Sequence, residues 1–272
     1  MKISSLVSKP LKLNTGLEAG QRICVIGDIH GNADHMAILL DAFEKENSNY
    51  DKTTLVLLGD LIDRGKQNLV AINLAIKAND RFDQVISLQG NHEAMMRIVL
   101  TQDRQDITQT WLKHGGQDVL DEIGMQNLDF SSKDKFKSSM AKAVGAECVA
   151  YLENMQSHFK QNNLLFVHAG THPEKSLEEH FAQPWDQTFG DHWCWIREKF
   201  LSYPVQFENL TIVHGHTPVR NRPHRNPDMV FAGHVAQGNK LNLDGGSYAS
   251  GCVTGAEFMP DAYKLHAALV YK

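Results

Sequence analysis

Five short polar motifs in this sequence combine the side-chain types that bind metal ions. They are Gly27-Asp28-Ile29-His30, Gly59-Asp60-Leu61-Ile62-Asp63-Arg64, Gly90-Asn91-His92-Glu93, Val167-His168-Ala169-Gly170 and Gly215-His216-Thr217. Carboxylate, amide and imidazole groups offer oxygen and nitrogen donors, which suit Mn, Fe or Zn better than a thiolate-seeking metal. No pair among the 4 cysteines has the spacing of metal ligands. The motifs therefore predict a site for divalent ions.

The acidic residues of these motifs favour two ions rather than one. If Asp28 and Asp60 lay close together without a cation, they would repel each other and one would take up a proton. Two divalent cations would more than compensate both carboxylates, even with a bridging hydroxide, and the net positive site would favour a phosphate dianion. Because metal coordination lowers the pKa of water from about 15.7 to about 7, it supplies a nucleophile at neutral pH.

Apolar segments before the motifs predict the strands that position them. β-rich runs at 23–26, 53–58 and 85–88 each end next to a glycine-containing loop, and helical patterns follow. Successive strand–loop–helix units form mostly parallel sheets, and the carboxyl ends of their strands meet at one crevice. Five segments that are distant in sequence can thus deliver their polar side chains to one place.

Later β-rich segments predict a second sheet. They lie at 164–167, 211–213, 229–231, 240–243, 252–258 and 264–271. The predicted fold class is α/β (α+β layered), with two mixed β-sheets packed as a sandwich and flanked by helices. We expect a single domain over 1–272, in which 1–20 form a peripheral lead-in and 101–160 form a helical cover segment.

Composition excludes several classes of protein. Lys+Arg number 27 against Asp+Glu 32, which gives a net charge of −5, and 42% of the residues are hydrophobic. This mild acidity does not indicate a nucleic-acid or membrane partner. No apolar run is long enough for a membrane helix, and the first residues do not resemble a secretory signal. We therefore expect a cytoplasmic location, buried apolar cysteines and no disulfide scaffold, while the oligomeric state is left open.

The three N-terminal motifs resemble the signature of the phosphoprotein phosphatase branch of the calcineurin-like metallophosphoesterases. The segment Leu241–Gly246 resembles the one found in bacterial and phage-type members, and the resemblance runs from about Arg22 to Phe258. It implies a serine/threonine protein phosphatase with two divalent metal ions, manganese first, with iron or zinc as alternatives. It also implies that a metal-bridging hydroxide attacks phosphorus directly, without a phosphoenzyme.

The resemblance implies a role for each motif residue. Asp28 and His30 would hold the first metal, and Asp60 would bridge both. The second metal would be held by Asn91, His168 and His216.

Four further residues would act on the substrate. His92 would protonate the leaving oxygen as general acid, with Asp63 orienting its ring. Arg64 and Arg197 would bind phosphate oxygens, because a guanidinium is a planar fork that suits this geometry.

We expect the substrate to be a phosphoprotein or a small phosphoester or nucleotide. Related dinucleotide hydrolases often replace the residue matching Asp63 and have Asp at the position of Glu93, so this chain favours a protein phosphatase. Three alternatives remain: a symmetrical diadenosine tetraphosphate hydrolase, a phosphotyrosine-active phosphatase, and a non-catalytic metal-binding scaffold for phosphoproteins. The presence of His92 and Asp63 argues against the scaffold, since a scaffold needs ligands but no proton donor.

Other residues receive simpler interpretations. His214 is expected to be a strand residue, with a ligand or supporting role as the alternative. Glu93 is interpreted as a carboxylate in the first turn of a helix, where the dipole favours it.

Surface or pocket-rim positions are expected for four histidines, of which His234 is a weak extra site candidate: His172, His192, His224 and His234. Core packing is expected for three tryptophans, with stacking on a substrate ring as the alternative: Trp185, Trp193 and Trp195. Trp111, with Gly115-Gly116 after it, is interpreted as helix packing before a tight turn.

Overall fold

Three parallel strands near the start of the chain form one side of the larger of two sheets. In the computed structural model, which describes residues 3–126, 133–203, 209–219 and 227–270, this sheet has seven strands. They are β1 (Ile3–Val7), β2 (Leu11–Lys12), β3 (Gln21–Ile26), β4 (Lys52–Leu57), β5 (Gln84–Ser87), β10 (Cys252–Met259) and β11 (Ala262–Val270). The order is β1-β11-β10-β3-β4-β5, and β2 also pairs with β11. Strands β3, β4 and β5 are parallel, and the remaining pairs are antiparallel.

The second sheet is smaller and also mixed. Its four strands are β6 (His158–Gln161), β7 (Leu164–Val167), β8 (Thr211–His214) and β9 (Lys240–Asn242). Strands β7, β8 and β9 run parallel, whereas β6 is antiparallel to β7. As in the larger sheet, the polar motifs therefore follow the carboxyl ends of parallel strands.

Helices cover the outer faces of the two sheets. In chain order they are α1 (Ala33–Glu44), α2 (Asn68–Lys77), α3 (Asn91–Thr101), α4 (Gln105–Trp111), α5 (Gln117–Glu122), α6 (Lys133–Val144), α7 (Ala146–Glu153), α8 (Leu177–Phe181), α9 (Glu198–Leu201), α10 (Pro227–Val230) and α11 (Ser247–Ser250). Within the described part of the chain, none of them combines the length and apolar character that crossing a bilayer requires.

The alternation of side chains along β3 shows how the layers fit together. Ile23 and Val25 belong to the core between the sheets, together with Phe166 of the smaller sheet. Cys24 and Ile26 point to the other face, where they join the core formed with the helices. Because one strand contributes to both cores, the predicted sandwich of two mixed sheets flanked by helices is confirmed.

The segment after β5 is mainly helical over its described residues. Its helices continue to Glu153, but the last residues of the expected 101–160 segment begin β6 at His158. The reason is antiparallel pairing with β7, in which Phe159 lies opposite Phe166. At Gly115 the backbone leaves the helical conformation, with φ 113°, and the chain kinks there, as the glycine pair suggested.

Two other segments differ from the prediction. The expected lead-in contributes β1 and β2, because Ile3–Val7 forms five pairs with the long strand β11. The strand expected at 229–231 is wrong, since Met229 and Val230 end helix α10. A short apolar run does not distinguish a strand from one helical turn, and here Pro227 occupies the first helical position, which suits a proline.

Candidate metal centre and active site

Loops after the parallel strands bring the predicted polar residues together. The backbone oxygen of Asp60 accepts hydrogen bonds from the amides of Ile29 and His30, both at 2.9 Å, which joins the loops after β3 and β4. The amide of Gly215 donates to the oxygen of His168 at 2.8 Å, which joins the loops after β7 and β8. Eight predicted site residues are buried: Asp28, His30, Asp60, Asp63, Asn91, His92, His168 and His216.

One group of possible metal ligands lies between the first three loops. It contains His30, Asp60 and His92, whose ligand atoms all lie within 4.8 Å of one another. The Oδ2 atom of Asp60 is 3.7 Å from Nε2 of His30 and 3.9 Å from Nε2 of His92. The spacing is wide for direct hydrogen bonds but leaves room for an ion among the three atoms.

A second group uses the other oxygen of the same carboxylate. Asp60, His168 and His216 also place their ligand atoms within 4.8 Å of one another. Oδ1 of Asp60 lies 3.4 Å from Nε2 of His168, and Oδ1 of Asn91 lies 3.2 Å from the same nitrogen. Asp60 is thus shared by the two groups, as a bridging ligand would be.

Hydrogen bonds made by the far ring nitrogens orient three of the imidazoles. Nδ1 of His30 donates to the oxygen of Ile62 and Nδ1 of His168 donates to the oxygen of Leu58, each at 2.9 Å. Nε2 of His216 donates to a backbone oxygen at 3.2 Å. Because a neutral imidazole has one N–H, the other nitrogen of each ring keeps its lone pair, as metal ligation requires.

The contacts of His168 are those expected around a cation. Its Nε2 faces two oxygen acceptors, on Asp60 and Asn91, and none of the three atoms carries a proton when the imidazole is neutral. Burial would lower the pKa of His168, but the charge and hydrogen bond of Asp60 outweigh burial and raise the pKa to about 9. Burial likewise favours protonation of Asp60, but the positive charge of His168 holds the Asp60 pKa well below its usual range. A divalent ion would satisfy the same acceptors, so these residues fit a metal.

Asp28 lies beside the two groups rather than inside either of them. Both of its carboxylate oxygens accept the backbone N–H of His216 at 3.1 Å. Burial, together with the neighbouring carboxylate of Asp244, raises its pKa well above the usual value. The contact with His216 joins the loops after β3 and β8, while its predicted role as a ligand of the first metal stays a prediction.

His92, Asp63 and Trp111 form a buried chain of hydrogen bonds. Nδ1 of His92 lies 2.6 Å from Oδ2 of Asp63, and Nε1 of Trp111 donates to Oδ1 of Asp63 at 3.1 Å. Nε2 of His92 is buried and has no hydrogen-bond partner among the described residues. Burial lowers the pKa of His92 to about 3 and raises that of Asp63. The sequence analysis interpreted Trp111 as packing only, so its contact with Asp63 is new.

Glu93 supports the loop that carries Asp60. It lies in the first turn of α3, as interpreted, and its carboxylate accepts three backbone N–H groups. They belong to Asp60 at 2.8 Å, Leu61 at 2.7 Å and Gly90 at 3.0 Å. Burial raises its pKa to about 7. The carboxylate therefore links the loops after β4 and β5 in addition to capping the helix.

The loops of the site contain an unusual concentration of left-handed backbone. Positive φ angles of 47° to 71° occur at five predicted or neighbouring site residues, namely His30, Asp60, Asp63, Arg64 and His216. Each such residue costs about 1–3 kcal/mol and persists only when its surroundings hold it in place. Hydrogen bonds between the loops supply that constraint here.

The two predicted phosphate-binding arginines differ in their surroundings. Arg64 donates from Nη1 to Nε2 of His30 at 3.0 Å, and its guanidinium lies 4.5 Å from the ring centre of Tyr248. Arg197 is exposed and donates from Nη1 to the hydroxyl of Thr217 at 3.1 Å. Sequence reasoning missed Tyr248, which follows the Asp244-Gly245-Gly246 turn by two residues.

Several secondary predictions have clear outcomes. His214 lies outside both ligand groups, with its ring 4.9 Å from that of Phe200, and burial lowers its pKa to about 4. The surface or rim positions expected for three histidines are wrong, because each is buried with a polar partner: His172, His192 and His234. The fourth, His224, lies outside the described residues.

The structure agrees with the predictions for the cysteines and the tryptophans. All four cysteines are buried and free, as expected. Trp193 is a core residue, while Trp185 and Trp195 are half-buried against the same core.

A family model described as calcineurin-like phosphoesterase matches residues 21–238 of this chain. Serine/threonine-protein phosphatase 2 of Salmonella typhimurium is 40% identical over 75 residues, which cover 28% of this chain and 31% of that protein. The serine/threonine-protein phosphatase 4 catalytic subunit of Saccharomyces cerevisiae is 34% identical over 91 residues, covering 32% and 28%. The chain thus spans less than a third of the length of either relative.

Solved structures show the same architecture at low identity. A proposed diadenosine tetraphosphatase has a TM-score of 0.50 and 18% identity, over 90% of this chain and 92% of that one. A mutant of a cold-active protein tyrosine phosphatase has a TM-score of 0.50 and 20% identity, over 88% and 77%. At these identities the likeness shows the fold alone.

Proposed function

This chain belongs to the calcineurin-like phosphoesterase family, as its motifs predicted, and on that premise we propose that it hydrolyses phosphomonoesters with two divalent metal ions. The observation that carries the proposal is the shared carboxylate of Asp60, which faces one ligand group with each oxygen. When bound, such ions would lower the pKa of a coordinated water and stabilise the charge of the phosphate. We propose manganese as the native metal, with iron or zinc as alternatives, because the donors are oxygen and nitrogen atoms.

His92 is proposed as the acid that protonates the leaving oxygen. Its Nδ1 is engaged by Asp63 at 2.6 Å, so its unpartnered Nε2 is the atom available to the substrate. Asp63 fixes the ring, and its carboxylate would favour the protonated imidazole, which opposes the burial that lowers the pKa of His92 to about 3. A positioned acid of this kind contributes about 10²–10⁴-fold to a rate.

Arg64 and Arg197 are proposed to bind the phosphate oxygens. Arg64 lies on the His30 side of the centre, and Arg197 lies near Thr217, next to His216. A guanidinium donates two parallel N–H bonds to phosphate, which adds orientation as well as attraction. Together they would hold the phosphate between the two ligand groups with its leaving oxygen towards His92.

Phosphoserine and phosphothreonine in proteins are the proposed substrates. Both curated relatives reported above are named serine/threonine phosphatases, and the chain keeps Asp63 and Glu93. A dinucleotide or a phosphotyrosine is the second candidate, favoured by the aromatic pair of exposed Phe189 and half-buried Trp195 beside His216.

A substrate panel with defined metals tests the proposal. Protein stripped with a chelator and reloaded with Mn, Fe or Zn would be assayed on matched phosphoserine and phosphotyrosine peptides, diadenosine tetraphosphate and an aryl phosphate. We expect metal-dependent turnover, highest on the phosphoserine peptide. A strong preference for the dinucleotide would replace the proposed substrate. Bound metal without turnover on any substrate would instead identify a scaffold.

The variant His92→Asn separates the acid from the ligands. Turnover should fall about 10²–10⁴-fold while metal content stays near that of the unmodified protein. Unchanged turnover would refute the acid role, and loss of metal would assign His92 as a ligand.

A further inference from the structure

Two aromatic rings in contact extend from the metal centre to the solvent. The ring centres of Phe189 and Trp195 are 4.6 Å apart. Trp195 adjoins His216, since its backbone oxygen accepts the Nε2 hydrogen bond and the two ring centres are 6.4 Å apart. Phe189 is the outer ring of the pair and is 45% exposed. An apolar surface therefore begins at a predicted metal ligand.

The backbone conformation of Phe189 is strained, and packing of its exposed ring does not account for this strain. Its φ of 68° lies in the left-handed region, which bulky residues rarely adopt, and Gly190 follows with φ 70°. Asn or Gly would form the same turn with less strain and without an exposed ring. An exposed aromatic residue in a strained conformation is therefore a reason to look for a ligand.

The surroundings of Trp195 suit a ring that contacts a ligand. The indole Nε1 is buried and has no hydrogen-bond partner within the described ranges, so packing alone holds the ring. Arg197 lies two residues further on, and its Nη1 reaches Thr217, the neighbour of His216. A cation for a phosphate and an aromatic surface for a ring thus come from one short segment.

We propose that Phe189 and Trp195 bind a flat aromatic ring carried by the leaving group of the substrate. The inference rests on the proposed function and extends its substrate class from phosphoserine to esters with an aromatic ring within reach of the phosphate. Stacked or edge-on rings attract one another beyond the effect of area burial alone. Phosphotyrosine and the base of a nucleotide share this chemistry, and the experiment separates them.

The test compares Phe189→Leu with the unmodified protein. Leu keeps an apolar side chain of similar size but removes the ring. The ratio of kcat/KM for a phosphotyrosine peptide to that for a phosphoserine peptide with the same flanking residues should fall about threefold to tenfold, mainly through KM. The control is Phe159→Leu in β6, which removes a half-buried ring packed on Phe166 and should leave this ratio unchanged.

Binding provides a readout that does not depend on turnover. The protein should bind phenyl phosphate more tightly than inorganic phosphate, measured by calorimetry, and Phe189→Leu should remove most of this preference. A preference without any turnover would contradict the proposed function but support the ring-binding surface. The surface would be overturned if Phe189→Leu changed none of three quantities. These are the kcat/KM ratio of the two peptides, the preference for phenyl phosphate over inorganic phosphate, and the activity on diadenosine tetraphosphate. An effect confined to the dinucleotide would support the surface and identify the ring as a nucleobase.

Discussion

The two ends of strand β3 carry buried charges that are balanced in opposite ways. At the amino end, Arg22 donates to Glu257 at 3.1 Å and to the backbone oxygen of Phe43 at 2.9 Å, and its guanidinium lies 4.5 Å from the ring centre of Tyr50. Burial would raise the pKa of Glu257, but hydrogen bonds from His266 and Arg22 outweigh it and lower the pKa to about 2. Charge at this end is compensated within the protein.

At the carboxyl end of β3, most of the buried carboxylates lack such a partner. Burial raises the pKa of Asp28 and Asp63, and it raises the pKa of Asp244 to about 6 and that of Glu93 to about 7. Asp60 differs from these four because His168 holds its pKa down. The amino end is therefore a complete structural cluster, while the carboxyl end needs cations that the chain itself does not supply. One strand can stabilise the fold at one end and prepare a ligand site at the other.

The largest expected effect on activity comes from replacing Asp60, among the carboxylates near the carboxyl end of β3. In Asp60→Asn, metal content and turnover should fall together, since a neutral amide cannot bridge two cations. The loss of several kcal/mol of charge stabilisation would reduce the rate about a thousandfold or more. Metal analysis of the purified variant and an assay with added metal measure the two effects.

Strand β4 offers a matched control for Asp60→Asn. Asp83 accepts the N–H of Thr53 at 2.7 Å, at the other end of β4 from Asp60. Asp83→Asn makes the same chemical change there and should alter neither metal content nor turnover. Full occupancy of both metals in Asp60→Asn would remove the bridging role.

Substitutions at the amino end of β3 should lower the stability of the protein rather than its activity. Glu257→Gln leaves the buried cation of Arg22 without a counter-charge, and breaking one side of a buried pair costs about 3–5 kcal/mol. Urea unfolding measures this loss, while metal content should not change. The control Glu44→Gln alters an ion pair with Arg81 at 2.7 Å whose glutamate is 48% exposed, so its cost should stay within about 1 kcal/mol.

The same cluster predicts how acid affects stability. The pKa of Glu257 is lower in the folded protein than its usual 4.5, so the unfolded chain binds the proton first as pH falls. The contribution of Glu257 to stability is therefore complete above about pH 4.5 and is lost as pH falls towards 2. The stability difference between the unmodified protein and Glu257→Gln should shrink across this range, and a constant difference would contradict the assignment.

Sequence patterns predicted the carboxyl end of β3 well and the amino end hardly at all. Gly-Asp-x-His and Gly-Asn-His are local motifs, and strands that end at one sheet edge bring them together without any knowledge of packing. The Arg22–Glu257 pair, by contrast, joins residues 235 positions apart across neighbouring strands, and neither residue lies in a motif. The exposure of His172, His192 and His234 was mispredicted for a related reason: burial depends on distant segments that cover a side chain.

The smallest expected effect concerns Trp111, which sequence reasoning assigned to packing. Trp111→Phe should keep the buried ring but remove the hydrogen bond to Asp63, which helps to hold the pKa of that carboxyl down. Since one hydrogen bond contributes about 1 kcal/mol, turnover should fall roughly fivefold. Because the Asp63 pKa rises, the acidic limb of the pH–rate profile should move to higher pH.

Trp193→Phe is the control that distinguishes positioning from packing. Trp193 is also a buried core residue, and its Nε1 has no hydrogen-bond partner in the part of the chain that the structure describes. Both variants remove the same atoms from a core, so the loss of packing should be similar. The shift of the pH–rate profile should occur in Trp111→Phe alone, because this indole, unlike that of Trp193, contacts the partner of the proposed acid. If the two profiles coincide, Trp111 acts only by packing, and the chain that positions His92 ends at Asp63.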